Sequence, residues 1–139
     1  MTRRIFLADD DRDDWFITED AMEQVTSEKL IVFFADGELL IKALAEAWQH
    51  NNLPCLIVLD LNMPRMNGTE VLAMIKSDNR FNKIPVVIYS TSVNILEQKK
   101  CLELGARDYL TKPISSKESL AIARHFYSYC EEALVGKEY

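Results

Sequence analysis

Apolar residues in this chain fall into short continuous runs, separated by longer stretches where they recur every third or fourth position. "RIFLAD" is the first run. A helical pattern over 12–25 follows it and puts Ile17, Ala21 and Val25 one turn apart. "KLIVFFA" is the second run, closed by Asp36 and Gly37. Residues 38–50 then carry Leu40, Ala43, Leu44 and Ala47 on one helical face. "CLIVLD" precedes a helix over 68–77. "PVVIYS" precedes a helix over 94–104, which stops at Gly105, a residue suited to the left-handed position after a helix. "ARDYLT" is a weaker fifth strand, and 116–134 is the last helix. Pro54 and Pro85 stand at strand starts, and Gly37, Gly68, Gly105 and Gly136 bound helices.

Five strands thus alternate with five helices. The central runs are apolar at every position, so both of their faces are covered. The pattern predicts an α/β fold: a doubly wound, five-stranded parallel sheet with helices on both sides. There is no internal repeat, low-complexity stretch or linker, and one domain over 1–139 is expected.

Composition narrows the partners. The chain has 139 residues, 48% of them hydrophobic, enough for a core that needs no metal or disulfide. A net charge of -6 argues against a nucleic-acid backbone as partner. No stretch approaches the ~20 apolar residues of a membrane span, and the first apolar run is too short for a signal peptide. Cys55, Cys101 and Cys130 lie far apart among apolar residues. They are expected to be reduced, buried thiols in a cytoplasmic protein.

The candidate chemistry lies where the strands end, because open parallel sheets bind ligands at their carboxyl edge. The first strand ends in Asp9 and Asp10, inside "DDDRDD". The third ends in Asp60, the fourth in Ser90, and the fifth runs into Lys112 and Pro113. The second ends in Ala35-Asp36-Gly37, a turn and helix cap. Three ionised carboxylates at one point require a cation. Oxygen ligands without His or Cys favour Mg²⁺ over Zn²⁺. A lysine and a hydroxyl suit a phosphoryl group, so the set points to phosphoryl transfer onto a carboxylate.

The acidic pair Asp9-Asp10, "DLNMPRMNG" around Asp60, the hydroxyl of Ser90 and the "KP" of Lys112-Pro113 together resemble the receiver domains of two-component response regulators. The resemblance covers essentially the whole chain. It implies a flavodoxin-like sheet of strand order 2-1-3-4-5. It implies Asp60 as phosphoacceptor, taking its group from the phosphohistidine of a histidine kinase or histidine phosphotransfer protein. Asp10 and Asp60 would ligate Mg²⁺ directly, Asn62 through its backbone carbonyl and Asp9 through water. Ser90 and Lys112 would bind phosphoryl oxygens, and Tyr109 would switch rotamer when Ser90 moves. Asn62 and Ser92, each two residues past a site residue, would set the lifetime of the phosphoryl group. The Lys112–Pro113 bond is expected to be cis. Thr91 stands where the family usually has Ala or Gly, and Ser90 where Thr is commoner.

Other readings stay beside this one: a pseudo-receiver that binds without being phosphorylated, and an aspartyl-phosphate phosphohydrolase of the haloacid-dehalogenase type. The second needs D-x-D-x-T after the first strand, and "DDDRDD" stands there instead. Asp13 and Asp14 read as first-turn carboxylates that complement the helix dipole. Asp11 reads as helix cap or site margin. His50 and His125 read as solvent-facing, Trp15 and Trp48 as packing, and "SDNRFNK" as a solvated loop. The last helix carries two apolar stripes: Leu120, Ala123, Tyr127, Cys130 and Leu134, and beside it Ile122, Phe126, Tyr129 and Ala133. Together they exceed the arc needed to cover a sheet. A homodimer or kinase-docking surface on the last helix is therefore expected, and the resemblance implies pairing through the fourth helix, fifth strand and fifth helix.

Overall fold

The computed structural model describes residues 4–137, with side chains as far as Glu132. Its strands are β1 (Ile5–Ala8), β2 (Ile31–Phe34), β3 (Leu56–Leu59), β4 (Val86–Ser90) and β5 (Asp108–Thr111). Its helices are α1 (Arg12–Glu23), α2 (Gly37–Gln49), α3 (Gly68–Ser77), α4 (Ile95–Glu103) and α5 (Ser116–Lys137). All strand pairs are parallel and the order is β2-β1-β3-β4-β5, as the alternation of runs and the resemblance implied.

The pleat sorts each central strand into two layers. Phe6, Ala8, Ile57, Leu59, Val86 and Ile88 face one side, where Leu40 and Leu44 of α2 and Val71, Leu72 and Ile75 of α3 cover them. Ile5, Leu7, Leu56, Val58, Val87 and Tyr89 face the other, under Ala21 and Met22 of α1 and Ala123 and Phe126 of α5. Four helices begin on a side-chain cap: Asp11, Asp36, Asn67 and Asn94 each accept an amide N–H two or three residues ahead. Asp11 is thus a helix cap. Gly105 ends α4 with φ +110, in the left-handed region.

Several packing expectations change. In α1 the buried face is Thr18, Ala21 and Met22, and Ile17 is exposed. In α5, Ala123, Phe126, Tyr129 and Cys130 are all buried, because the helix packs on β3 and α1 with the border of its two stripes inward. The surplus apolar surface lies instead on α4 and its entry, where Val93, Ile95, Leu96 and Leu102 are exposed. The side chains of Ala133 and Leu134 lie outside the described residues. Trp48 is exposed, and Phe81 of "SDNRFNK" is a core anchor. His125 is half-buried, with Nε2 3.2 Å from Asp108.

The reduced-thiol expectation holds for Cys101 alone. Cys55 and Cys130 are joined in a disulfide, with Cα atoms 5.2 Å apart. Docking α5 against the start of β3 brings the two together across 75 residues of sequence.

Candidate functional site

Hydrogen bonding carries on past the strand ends. The Asp9 amide donates to the Phe34 carbonyl, the Asp60 amide to the Ala8 carbonyl, and the Lys112 amide to the Ser90 carbonyl, all at 2.9–3.0 Å. The sheet edge therefore holds Asp9, Asp60, Ser90 and Lys112 through its own backbone, and Asp10 follows Asp9 directly. Below Asp60, α3 starts so close that a Cβ on Gly68 would land on the Asp60 carbonyl oxygen. Glycine there keeps the strand end in place.

Carboxylate oxygens of Asp9, Asp10 and Asp60 all lie within 4.8 Å of one another. Asp9 and Asp60 are buried, and Asp10 is exposed. Both oxygens of Asp9 have partners: Oδ1 accepts from the Asp11 amide at 2.9 Å and Oδ2 from the Lys112 ammonium at 2.8 Å. Lys112 Nζ also donates to Asp60 Oδ2 at 3.2 Å and to Asp14 Oδ2 at 2.6 Å. Among the described residues, Asp60 Oδ1 has only a long contact, 3.5 Å, from the Asn62 amide.

Four carboxylates (Asp9, Asp10, Asp14 and Asp60) thus crowd round one ammonium, which bonds to three of them. Burial raises the Asp9 pKa from an ordinary 3.8 to about 6, with the charge of Asp60 adding to it and Lys112 and the Asp11 amide only partly offsetting it. Burial works against the Lys112 ammonium too. Its hydrogen bonds to Asp14 and Asp9 and the charge of Asp60 outweigh that and hold its pKa above the usual lysine value. Lys112 is charged at any physiological pH, and the excess negative charge remains. The donors are all oxygens, with no His or Cys among them, so they fit a hard divalent cation.

The remaining expected residues form a chain along the β4–α4 loop. The Ser90 hydroxyl accepts from the Ser92 amide at 3.2 Å, and the Ser92 carbonyl accepts from the Tyr109 hydroxyl at 3.0 Å. Ser92 Oγ donates to Glu97 at 2.8 Å, so its proton goes to α4 rather than into the site. Asn62 and Thr91 are exposed at the rim. The Lys112–Pro113 peptide is trans, against expectation. Trans is the intrinsically preferred form, and with it Lys112 already reaches all three of its carboxylates.

Two residues join the site that sequence patterning assigned elsewhere. Asp14 turns its carboxylate to Lys112 from the first turn of α1. Trp15 stacks on Phe33 and donates from its indole to the Asp9 carbonyl at 2.7 Å. The available signal was position: Asp14 lies in the first turn of α1, the turn that follows the end of β1.

A family model for the response regulator receiver domain matches residues 5–124. Response regulator Rcp1 of Synechocystis sp. is 30% identical over 132 residues, which is 94% of this chain and 90% of that protein. The Mn²⁺-bound form of Rcp1 superposes with a TM-score of 0.77 at 31% identity, over 91% of this chain and 93% of the other. The phosphorylated cyanobacterial phytochrome response regulator RcpA gives 0.78 at 30% identity, over 96% of each. The chain also matches a small part of longer proteins: 67 residues, 48% of the chain, are 42% identical to Histidine kinase P4 of Formosa agariphila and make up 5% of it. Fold, strand-end residues and family match agree over one span, and the chain belongs to the response regulator receiver domains, the signalling switches of two-component systems.

Proposed function

We propose that this chain is one receiver domain whose Asp60 accepts a phosphoryl group from the phosphohistidine of a histidine kinase or a histidine phosphotransfer protein. One observation carries the reading: Lys112 reaches Asp60 and Asp9 at once, beside the hydroxyl of Ser90, at the carboxyl edge of the sheet. In the transfer an Asp60 oxygen attacks phosphorus. The O–P bond forms as the P–N bond breaks, and the electron pair leaves with the imidazole nitrogen. Ser90 and Lys112 take phosphoryl oxygens, a hydroxyl donor and a charged one. Mg²⁺ is the ion assigned. Asp10 and Asp60 would hold it by carboxylate, Asn62 by its backbone carbonyl and Asp9 through water; bound there, it supplies positive charge against the phosphoryl oxygens. The engagement of both Asp9 oxygens supports the water-mediated role of that residue. Everything else is positioning, because the donor brings an activated group.

The signal leaves through the Ser90–Ser92–Tyr109 chain. When Ser90 turns to a phosphoryl oxygen it gives up the Ser92 amide, and the carbonyl that holds Tyr109 shifts with it. Tyr109 adjoins α4, whose exposed Ile95, Leu96 and Leu102 make the fourth helix, with β5 and α5, the surface for self-association or kinase docking. The acidic balance speaks against nucleic acid, and among the described residues no helix is long and apolar enough to cross a membrane. A cytoplasmic location goes with a phosphohistidine donor. Incubation with acetyl phosphate and Mg²⁺ should add one acid-stable, base-labile phosphoryl group. If Asp60→Asn takes up the same group, the assignment fails.

A further inference from the structure

Of the three carboxylates on Lys112, the nearest is none of those assigned to the phosphoryl site. Asp14 Oδ2 lies 2.6 Å from Nζ, against 2.8 Å for Asp9 and 3.2 Å for Asp60. An ammonium has three N–H donors. All three are in use, so none is left for a phosphoryl oxygen. We propose that Asp14 is the resting counter-ion of Lys112: it holds the ammonium toward α1 and competes with the phosphoryl group for it. Asp14 is therefore a positioning residue that acts through Lys112, and the inference rests on the receiver reading above.

The surroundings make the contact deliberate. The Asp14 side chain is 27% exposed and that of Lys112 9%, so the pair is only partly screened by water. Thr18, buried one turn on, donates its hydroxyl to the Asp14 carbonyl at 2.9 Å and fixes this turn of α1. The Lys112 nitrogen sits 5.9 Å from the centre of the Tyr89 ring, which closes the other side of the pair. A carboxylate serving only the helix dipole would need none of this. Asp13, next to it in the same turn, is exposed, and among the described residues no ammonium lies against its carboxylate. When phosphate arrives on Asp60, the Asp60 contact is the weakest of the three and the first to be exchanged. Asp14 and Asp9 then keep Lys112 at the site while limiting how firmly it grips the new group.

The test is beryllofluoride binding at saturating Mg²⁺, with Mg²⁺ titrated separately, both read from tryptophan fluorescence. Trp15 reports because its indole bonds to the Asp9 carbonyl. Asp14→Asn keeps shape and removes charge. It should bind beryllofluoride tighter by roughly fivefold, the scale of one partly screened charge pair, and bind Mg²⁺ more weakly. Misfolding would weaken both, so opposite directions mark a competing counter-ion. Asp13→Asn removes an equal charge from the same helical turn and should leave beryllofluoride affinity near wild type. Asp14→Glu should restore wild-type behaviour in part. Equal tightening by Asp13→Asn and Asp14→Asn would reduce the effect to general field and overturn the proposal. Weaker beryllofluoride binding by Asp14→Asn would overturn it too. A wild-type protein that binds no beryllofluoride would instead sink the receiver reading itself.

Discussion

Replacing Asp9 by Asn should make the metal-free protein more stable. Asp9 is 1% exposed, and its pKa is about 6 where 3.8 is ordinary. Above pH 6 the residue is ionised both folded and unfolded, and only the folded state carries the burial cost. The two values differ by about two units, which corresponds to a cost of about 3 kcal/mol. The sign follows from which state holds the proton harder. As pH falls through 6, the folded protein protonates Asp9 before the unfolded chain does, so stability rises. The gain is complete below 3.8, and at pH 5 roughly half of it is recovered. Asparagine keeps an oxygen for the Asp11 amide and for Lys112 but gives up the charge-assisted strength of the second bond. The net gain at pH 7.5 in EDTA should therefore be about 2 kcal/mol, or several degrees in Tm. Urea unfolding of wild type and Asp9→Asn at pH 7.5 and pH 5 measures it. The difference should narrow at pH 5, and should narrow again at pH 7.5 when saturating Mg²⁺ stabilises the wild type by mass action. A variant no more stable than wild type at pH 7.5, or a difference that pH leaves unchanged, would refute the burial cost assigned to Asp9.

Asp10→Ala should lose more Mg²⁺ affinity than Asp9→Ala, because both Asp9 oxygens already have protein partners. Fluorescence titration decides it, and equal losses would contradict the two roles. Asn62→Ala should slow loss of the phosphoryl group several-fold while leaving its addition intact. Ser92→Ala should matter less, since its hydroxyl proton goes to Glu97; decay after a pulse of acetyl phosphate separates the two. Leu96→Glu should stay folded and abolish any phosphorylation-dependent self-association seen by light scattering. Phe126→Glu should lose about 3 kcal/mol or more, because Phe126 is fully buried.

The alternation of strands and helices, the cover on both faces of the sheet and the five strand-end residues were legible in the chain because each depends on a local signal, while the strand order came from the resemblance. Continuous apolar runs mark strands covered twice, and the polar residue that closes each run lands at one edge of the sheet. The misses share a different cause. Thr18 counts as polar and so falls outside the α1 stripe, yet its hydroxyl is satisfied by the Asp14 carbonyl and it packs inward where Ile17 does not. The two stripes of α5 are adjacent, and only the docking of the helix shows that their border is the buried arc. Cys55 and Cys130 carry no mark of each other across 75 residues. The resemblance supplied a cis peptide before Pro113 that the chain does not adopt, because Lys112 reaches its partners without it.

The same physics explains why the site is built at a cost. Backbone hydrogen bonds from the sheet hold Asp9 and Asp60 in burial, so neither can retreat to water when its neighbours are charged. Lys112 is one cation against four carboxylates, and it reaches three of them. Whatever brings positive charge therefore binds to a site already arranged and relieves repulsion already present, with little reorganisation. A phosphoryl group placed on Asp60 would do the opposite. It would add negative charge and draw on Lys112 and Ser90, and the contact it loosens, from Lys112 to Asp14, and the one it displaces, from the Ser92 amide to Ser90, lie on α1 and on the loop into α4. A charge change confined to one carboxylate can therefore reach two separate faces of the domain through only two side chains.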